Sequence, residues 1–201
     1  MKYGFAFGFL LLLAAGALHA QEPRPTGTTT AVEATGGNSV LQLRYLAPSP
    51  WEATGRGRSD LDYGFLLSED RDIIASTALM FHTDLHMIPG LTIDVGPQGY
   101  LALLNALKKT DVFAAAFGVD ARYTVLPRWG IAVFGSAFYS PGVLTFGDAH
   151  NLYDFTAGGE VQFTPRLAGL AGYRWLKFTL VGEPDDRVQN EVFAGLRWRL
   201  E

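Results

Sequence analysis

The sequence predicts an all-β protein, an eight-stranded antiparallel transmembrane β-barrel. Three observations predict it: an export signal at the N-terminus, no second segment that could cross a membrane as a helix, and a run of alternating segments from Asp60 to the end of the chain. Only helices and closed barrels satisfy every backbone hydrogen bond within lipid. An exported chain with strand-like alternation therefore fits a barrel in the cell outer membrane.

The first twenty residues are typical of a secretory signal peptide. Lys2 gives a positive start, residues 5–18 are apolar or glycine, and small residues follow. Cleavage after Ala20 is favoured, and Ala17 is the alternative site. An uncleaved anchor is the competing interpretation, but a spanning helix needs about 20 apolar residues and this run is shorter. We expect residues 1–20 to be removed.

Residues 21–59 are predicted to be a flexible leader. Thr, Gly, Pro and Ala dominate residues 21–39, and no apolar period is present there. One short apolar-rich run, 40–46, is expected to be an extra strand or a plug segment on the periplasmic side.

From Asp60 onward, apolar and polar side chains alternate with the period of a strand. In the last segment Leu196 and Trp198 share one parity, and Arg197 and Arg199 share the other. The even number of segments and their lengths fit a closed membrane barrel over residues 60–201. The eight segments are 60–68, 72–85, 90–103, 112–124, 130–140, 151–163, 167–178 and 188–200.

The connections are predicted to alternate between short turns on the periplasmic side and longer loops outside, as in bacterial outer-membrane barrels. The short ones are 86–89, 126–129 and 164–166, and the longer ones are 105–111, 141–150 and 179–187. Residues 69–71 are an exception, a tight turn on the predicted outer side, and 101–109 also fit a short helix.

Composition narrows the classes of function. Charged residues make up 18% of the chain, below the roughly 25% of soluble domains. The absence of cysteine excludes disulfides and thiol chemistry, and the absence of a basic run argues against nucleic-acid binding. A soluble barrel, in which the apolar side chains would face inward, would alternate equally well. The low charge and the near absence of charged residues on one parity favour a membrane barrel. Lys177 falls on the lipid-facing parity, so we place it at the outer rim.

Charged residues gather on the opposite parity, which we expect to face the lumen. An eight-stranded barrel is only wide enough for side chains to fill it, and unpaired buried charges are costly. We therefore predict a structural core of ion pairs rather than an open pore. Its members are Asp94, Asp120, Arg122, Asp154, Glu160, Arg174, Glu191 and Arg197, together with Asp60, Asp62 and Arg199.

Two kinds of chemical site were considered. His82, Asp84 and His86 share one parity and are a weak candidate for a metal site, and a polar lumen mouth is the favoured interpretation of these residues. A lipid-modifying hydrolase would need a nucleophile beside a base, and the sequence places no serine next to His82, His86 or His150. No catalytic residue and no cofactor are predicted.

Several short motifs carry a family resemblance. They are Val95-Gly96-Pro97-Gln98-Gly99-Tyr100, Phe138-Tyr139-Ser140-Pro141, Thr156-Ala157-Gly158, Arg166-Leu167, Ala171-Gly172-Tyr173-Arg174-Trp175 and Gly195-Leu196-Arg197-Trp198. Over about residues 60–200 the chain resembles the YfaZ family of small proteobacterial outer-membrane proteins. The resemblance implies an outer-membrane barrel with no established activity.

The expected function is a structural or surface-interaction role, with small-solute passage and a lipid-modifying hydrolase as alternatives. Expected partners are outer-membrane lipid, the barrel assembly machinery during insertion, and an unidentified surface or periplasmic partner.

Overall fold

The computed structural model describes residues 30–49, 58–84, 88–105, 110–147, 149–180 and 186–200. Within these ranges the chain forms strands joined by turns and two short 3-10 turns, at 127–129 and 142–144. The strands are β1 (Ala31–Gly36), β2 (Val40–Pro48), β3 (Ser59–Ser68), β4 (Ile73–Asp84), β5 (Leu91–Leu104), β6 (Thr110–Leu126), β7 (Ile131–Ser140), β8 (Thr145–Gly147), β9 (Ala149–Gln162), β10 (Leu167–Leu180) and β11 (Asp186–Arg199).

Ten of these strands form a closed antiparallel barrel, not the eight predicted. Each strand pairs with the next along the chain, and β1 pairs with β11 to close the wall, from Ala31 opposite Arg199 to Gly36 opposite Ala194. The short β8 is an extra strand that pairs with β6 near the point where β7 has ended. The all-β, antiparallel fold class is confirmed, and the strand number is corrected.

The eight predicted segments are all barrel strands, with ends within about two residues of those predicted. The error lies upstream, in residues 21–59. Residues 31–36 and 40–48 are β1 and β2, two strands of the wall rather than a leader and a plug. Residues 101–104 continue β5 as a strand, so the helix alternative is wrong for that part of 101–109.

An even number of wall strands places residues 30 and 200 at one end of the barrel, here called the terminal end; the other is the far end. The predicted loop asymmetry holds only in part. The link 49–58 between β2 and β3 is the longest connection and lies at the terminal end, whereas the far-end turn 37–39 is short.

Two carboxylates fasten hairpins at the far end. Glu191 of β11 accepts hydrogen bonds from the backbone N–H groups of Asn38 and Ser39 in the β1–β2 turn, at 2.9 and 3.1 Å. Asp72 accepts from the Ser68 hydroxyl and from the backbone N–H of Asn105, both at 2.8 Å. Each carboxylate thus ties a turn to a neighbouring strand end.

The outside of the barrel is apolar. Outward positions carry large hydrophobic side chains that are about half exposed, for example Leu43 (47% exposed) and Phe117 (62% exposed). Inward positions on the same strands are polar, small or buried, as Gln42, Arg44 and Gly118 are. Such an apolar exterior is the surface that a membrane barrel presents to hydrocarbon. In the ranges given above, no helix is long and apolar enough to cross a membrane.

Inward glycines let phenylalanine rings lie flat against the wall. A Cβ atom added at Gly118 would meet the ring of Phe138 at 2.3 Å, and one at Gly158 would meet that of Phe134 at 2.7 Å. The same additions would approach neighbouring backbone carbonyls to 2.3 and 2.5 Å. Glycine is therefore needed at these two positions, because a neighbouring backbone and an aromatic ring both approach the wall closely there.

Candidate functional site

The lumen is the candidate site, and it is filled in two different ways. In its far half the inward side chains form an apolar core, in which Tyr100, Leu152, Leu176 and Phe178 are essentially inaccessible to solvent. Smaller residues complete it, among them Ala102, Val112, Ala114 and Ala116. We call this cluster the apolar core. Water therefore meets tightly packed hydrocarbon at the far end of the lumen rather than an open channel.

A hydrogen-bonded chain of four side chains crosses the lumen on the terminal side of the apolar core. We call this chain the crossbar. Tyr100 donates to Asp154 at 2.8 Å, and Arg174 binds both oxygens of Asp154, at 3.0 and 2.7 Å. Arg174 also donates to Oε1 of Gln42 at 2.7 Å. Because β5 and β9, and β10 and β2, are not neighbours in the wall, these bonds join opposite parts of the barrel.

The terminal half of the lumen holds an arginine network, which consists of Glu33, Arg44, Asp62, Arg122, Glu160, Arg197 and Arg199. Its centre is Glu160, whose side chain is 0% exposed. Three arginines converge on that carboxylate: Arg122, Arg197 at 2.5 Å and Arg199 at 3.4 Å. Arg197 also binds Glu33, which extends the network to β1.

The network continues onto β2 and β3. Arg44 bridges Glu33 at 3.4 Å and Asp62, to which it presents two nitrogens. Charge-assisted and bidentate contacts of this kind are the stronger class of hydrogen bond. β1 pairs with β11 over fewer residues than β10 does. The ion pair between Glu33 and Arg197 reinforces this short β1–β11 pairing from inside the barrel.

His82 lies between two aspartates at the same end of the lumen. Its Nδ1 is 2.5 Å from Oδ1 of Asp94, and its Nε2 is 2.7 Å from Oδ2 of Asp60. A neutral imidazole carries a single N–H, so a ring that donates to both carboxylates is the cationic form. His82 thereby pairs across β3, β4 and β5.

The predicted metal site is not assembled by the described residues. His82 engages Asp60 and Asp94, His86 lies outside the described ranges, and the side chain of Asp84 is not described. In the part of the chain that the structure covers, no group of three His, Cys, Asp or Glu side chains could hold a metal ion.

Most predicted lumen charges lie where the parity placed them. Asp94, Arg122, Asp154, Glu160, Arg174 and Arg197 enter the ion pairs described above. Asp120 lies opposite Asp94 in the β5–β6 register. Glu191 is different, because it binds turn amides at the far end instead of a cation.

Sequence reasoning missed the contributions of β1 and β2. Glu33, Gln42 and Arg44 complete the network and the crossbar, yet they lie in the stretch predicted to be a leader. The signal was present in 40–46, where Gln42 and Arg44 alternate with Leu41, Leu43 and Tyr45. The lumen filling also differs from the prediction in its far half, which is apolar rather than ionic.

The charged side chains of the lumen differ in exposure. The side chains of His82, Arg122 and Arg199 are 16–18% exposed and that of Arg44 is 31% exposed. The carboxylates Glu33 and Glu160 are 4% and 0% exposed, and Arg174 and Asp154 in the crossbar are 8% and 5% exposed. Solvent therefore reaches His82 and the arginines of the network, and hardly reaches the carboxylates at its centre or the crossbar.

Comparisons with known proteins give one matching family model and three similar structures. A family model described as YfaZ precursor matches residues 57–200, the region of the predicted resemblance, and confirms it. A search of curated proteins gives no match. Two structures of the KdgM porin, one in complex with disordered oligogalacturonate, are similar at 9% identity, with TM-scores of 0.42 and 0.43, over 86% of this chain and 99% of theirs.

A bacterial polysaccharide outer membrane secretin is also similar, at 15% identity and a TM-score of 0.47, over 83% of this chain. The chain spans 58% of the length of that secretin chain.

Proposed function

Because the chain belongs to the YfaZ family and its barrel is apolar outside and filled inside, we propose that it is a sealed outer-membrane barrel with a structural or surface-interaction role. The observation that carries this proposal is the filling of the lumen. The apolar core closes the far half, and the crossbar joins non-neighbouring strands below it. A conducting pore needs a continuous water path, and these two layers interrupt it.

The exterior supports the location in a membrane. Large apolar side chains such as Leu43, Val133 and Phe117 are close to half exposed or more, and an exposed apolar surface of that extent is unfavourable in water. Export through a cleaved signal peptide is part of the proposal, and residues 1–20 lie outside the described ranges. Insertion would require the barrel assembly machinery.

Small-solute passage is the alternative, and ionic conductance separates it from a sealed barrel. Purified mature protein is reconstituted into planar bilayers, and single-channel current is recorded for the unmodified barrel and for a Tyr100→Ala/Phe178→Ala variant. We expect no steady conductance from the unmodified barrel and measurable current from the variant, since both removed side chains are fully buried in the lumen.

The matched control is Phe117→Ala, which removes the same ring from the outside of the wall. It should leave the barrel as silent as the unmodified protein. Stable single-channel steps from the unmodified barrel would reject the sealed lumen and establish the passage of small solutes.

A further inference from the structure

The far half of the outer wall carries a cluster of aromatic rings, which we call the aromatic patch. It consists of Tyr139 on β7, Tyr153 and Phe155 on β9, and Trp175 on β10. The ring centres lie 5.0 Å apart for Tyr139 and Tyr153, 6.0 Å for Tyr153 and Trp175, and 5.5 Å for Phe155 and Trp175. Tyr139 and Phe155 are each 43% exposed. The rings therefore contact one another on the outside of the barrel.

Two tyrosines in this region bind amide side chains that also face outward. The hydroxyl of Tyr139 donates to Oδ1 of Asn151 at 3.3 Å, and that of Tyr173 donates to Oδ1 of Asn190. Asn151 and Asn190 stand at outward register positions, Asn190 directly opposite Trp175. Hydrocarbon would deprive an amide of the hydrogen bonds that it makes in water, which is costly. Because tyrosine and tryptophan concentrate at the headgroup level of membrane proteins, the patch and its amides fit that level.

The hydrogen bond between Tyr100 and Asp154 allows two sides of the barrel to be compared at the same depth. It joins β5 to β9 across the lumen at 2.8 Å, and the two strands are three positions apart in the wall. The next outward residues toward the far end are Leu101 and Leu103 on β5, and Tyr153 and Asn151 on β9. The two leucines are 52% and 43% exposed. At the same level, one side of the barrel thus presents leucines and the other presents a tyrosine and an amide.

We propose that the lipid headgroups of the leaflet at the far end contact the aromatic patch, and that they reach about 5 Å farther down the wall there than along β5. The inference rests on the membrane location proposed above. Leucine is favourable beside acyl chains, so hydrocarbon covers β5 up to Leu103. Tyrosine and asparagine favour the polar boundary, so headgroups contact β9 as far down as Tyr153. Two residues of a strand tilted by about 40° span about 5 Å along the barrel axis, which gives the height of this step.

Spin labels on single introduced cysteines measure the depth of the two sides. The chain has no cysteine, so Leu101→Cys and Tyr153→Cys each give one labelled site in the intact mature barrel. In lipid vesicles, electron paramagnetic resonance compares the collisions of each label with oxygen, which dissolves in hydrocarbon, and with a water-soluble nickel complex. We expect the Tyr153→Cys label to lie about 5 Å closer to the headgroups than the Leu101→Cys label.

Leu103→Cys and Asn151→Cys form a second pair, which leaves every ring of the aromatic patch in place. Their labels should differ in the same direction, with the Asn151→Cys label among the headgroups. Ala157→Cys is the matched control, because Ala157 takes the same outward parity on β9 and lies nearer the terminal end than Tyr153. Its label should lie in hydrocarbon, where oxygen reaches it and the nickel complex does not.

Equal depths within both pairs, with the Ala157→Cys label in hydrocarbon, would overturn this proposal and leave the proposed function standing. Access of the nickel complex to the Ala157→Cys label would reject the membrane location itself, and this inference with it. A Tyr153→Cys label that neither oxygen nor nickel reaches would assign the aromatic patch to a contact with another protein and would also overturn the proposal.

Discussion

The two halves of the lumen are built on the same wall strands but are filled by opposite chemistry. The far half is filled by the apolar core, in which Leu176 and Phe178 are 0% exposed. The terminal half is filled by charged side chains, with Glu160 at the centre of three arginines. The apolar half gains from burial, about 25 cal/mol per Å². The charged half is stable only while every buried charge has its partner. Removal of one partner leaves a buried charge whose desolvation is no longer compensated. The comparison predicts that the loss of a single side chain destabilises each half for a different physical reason.

The two largest effects are expected inside the lumen, and the first comes from Glu160→Gln in the terminal half. The change leaves three arginines around a neutral amide, and breaking a buried ion pair costs about 3–5 kcal/mol. The free energy of unfolding in urea, measured in lipid vesicles by tryptophan fluorescence, should fall by that amount. A loss below about 1 kcal/mol would mean that water rather than Glu160 balances these arginines.

In the far half, Phe178→Ala removes a fully buried ring and leaves a cavity. The expected loss is about 3–5 kcal/mol from the same measurement. The side chain of Phe117 points outward and is 62% exposed in the protein. Phe117→Ala should cost much less in vesicles, because the ring contacts lipid and its removal leaves no cavity inside the protein. Equal losses for the two rings would contradict the assignment of inside and outside.

Substitution of an inward glycine should cause a smaller loss of stability. Gly118→Ala forces a Cβ atom against the Phe138 ring and the Ala137 carbonyl, and overpacking of this kind costs about 1–3 kcal/mol. Gly99→Ala is the control, since its added Cβ atom would have its nearest neighbour at 3.8 Å. Heat-modifiable gel migration should show a lower unfolding temperature for the first variant only, and a reversed order would argue against the close approach of backbone and ring at Gly118.

The smallest effect is expected at the far rim. Asp72→Asn weakens the bonds from Ser68 and Asn105, which contribute about 1 kcal/mol each at most. Asp70→Asn, in the same turn and without such contacts described, should leave the midpoint in urea unchanged. Identical midpoints for both variants would show that Asp72 does not fasten the β3–β4 turn.

Strand period and parity predicted much of this molecule. The parity of Asp154, Glu160 and Arg174 placed them in the lumen, and the eight segments after Asp60 are strands. Parity shows only whether a side chain points inward or outward. It could not show which half of the lumen each side chain fills, because that depends on how neighbouring strands are shifted along the barrel axis. Tyr100 reaches Asp154 from a strand three positions away in the wall, a contact set by barrel closure and not by local sequence.

The missing strands have a physical explanation. β1 is short, and its outward positions are Val32, Ala34 and Gly36, so its alternation is faint beside the Thr- and Gly-rich stretch before it. β2 alternates clearly, but on its own it would have made nine strands, an odd number that does not suit such a barrel. Its partner β1 restores the even count and supplies Glu33 to the arginine network.

The central claim is that the wall separates hydrocarbon outside from a solvent-excluding filling inside, and thiol labelling tests it directly. The chain contains no cysteine, so single cysteines can be introduced at Leu176 in the apolar core, at Val133 on the outer face and at Thr92 in the terminal mouth. In lipid vesicles a water-soluble maleimide should label Thr92→Cys and leave Leu176→Cys and Val133→Cys unmodified until the protein is unfolded in urea. Labelling of Leu176→Cys in the folded barrel at the rate of Thr92→Cys would reveal a water-filled lumen and contradict the account.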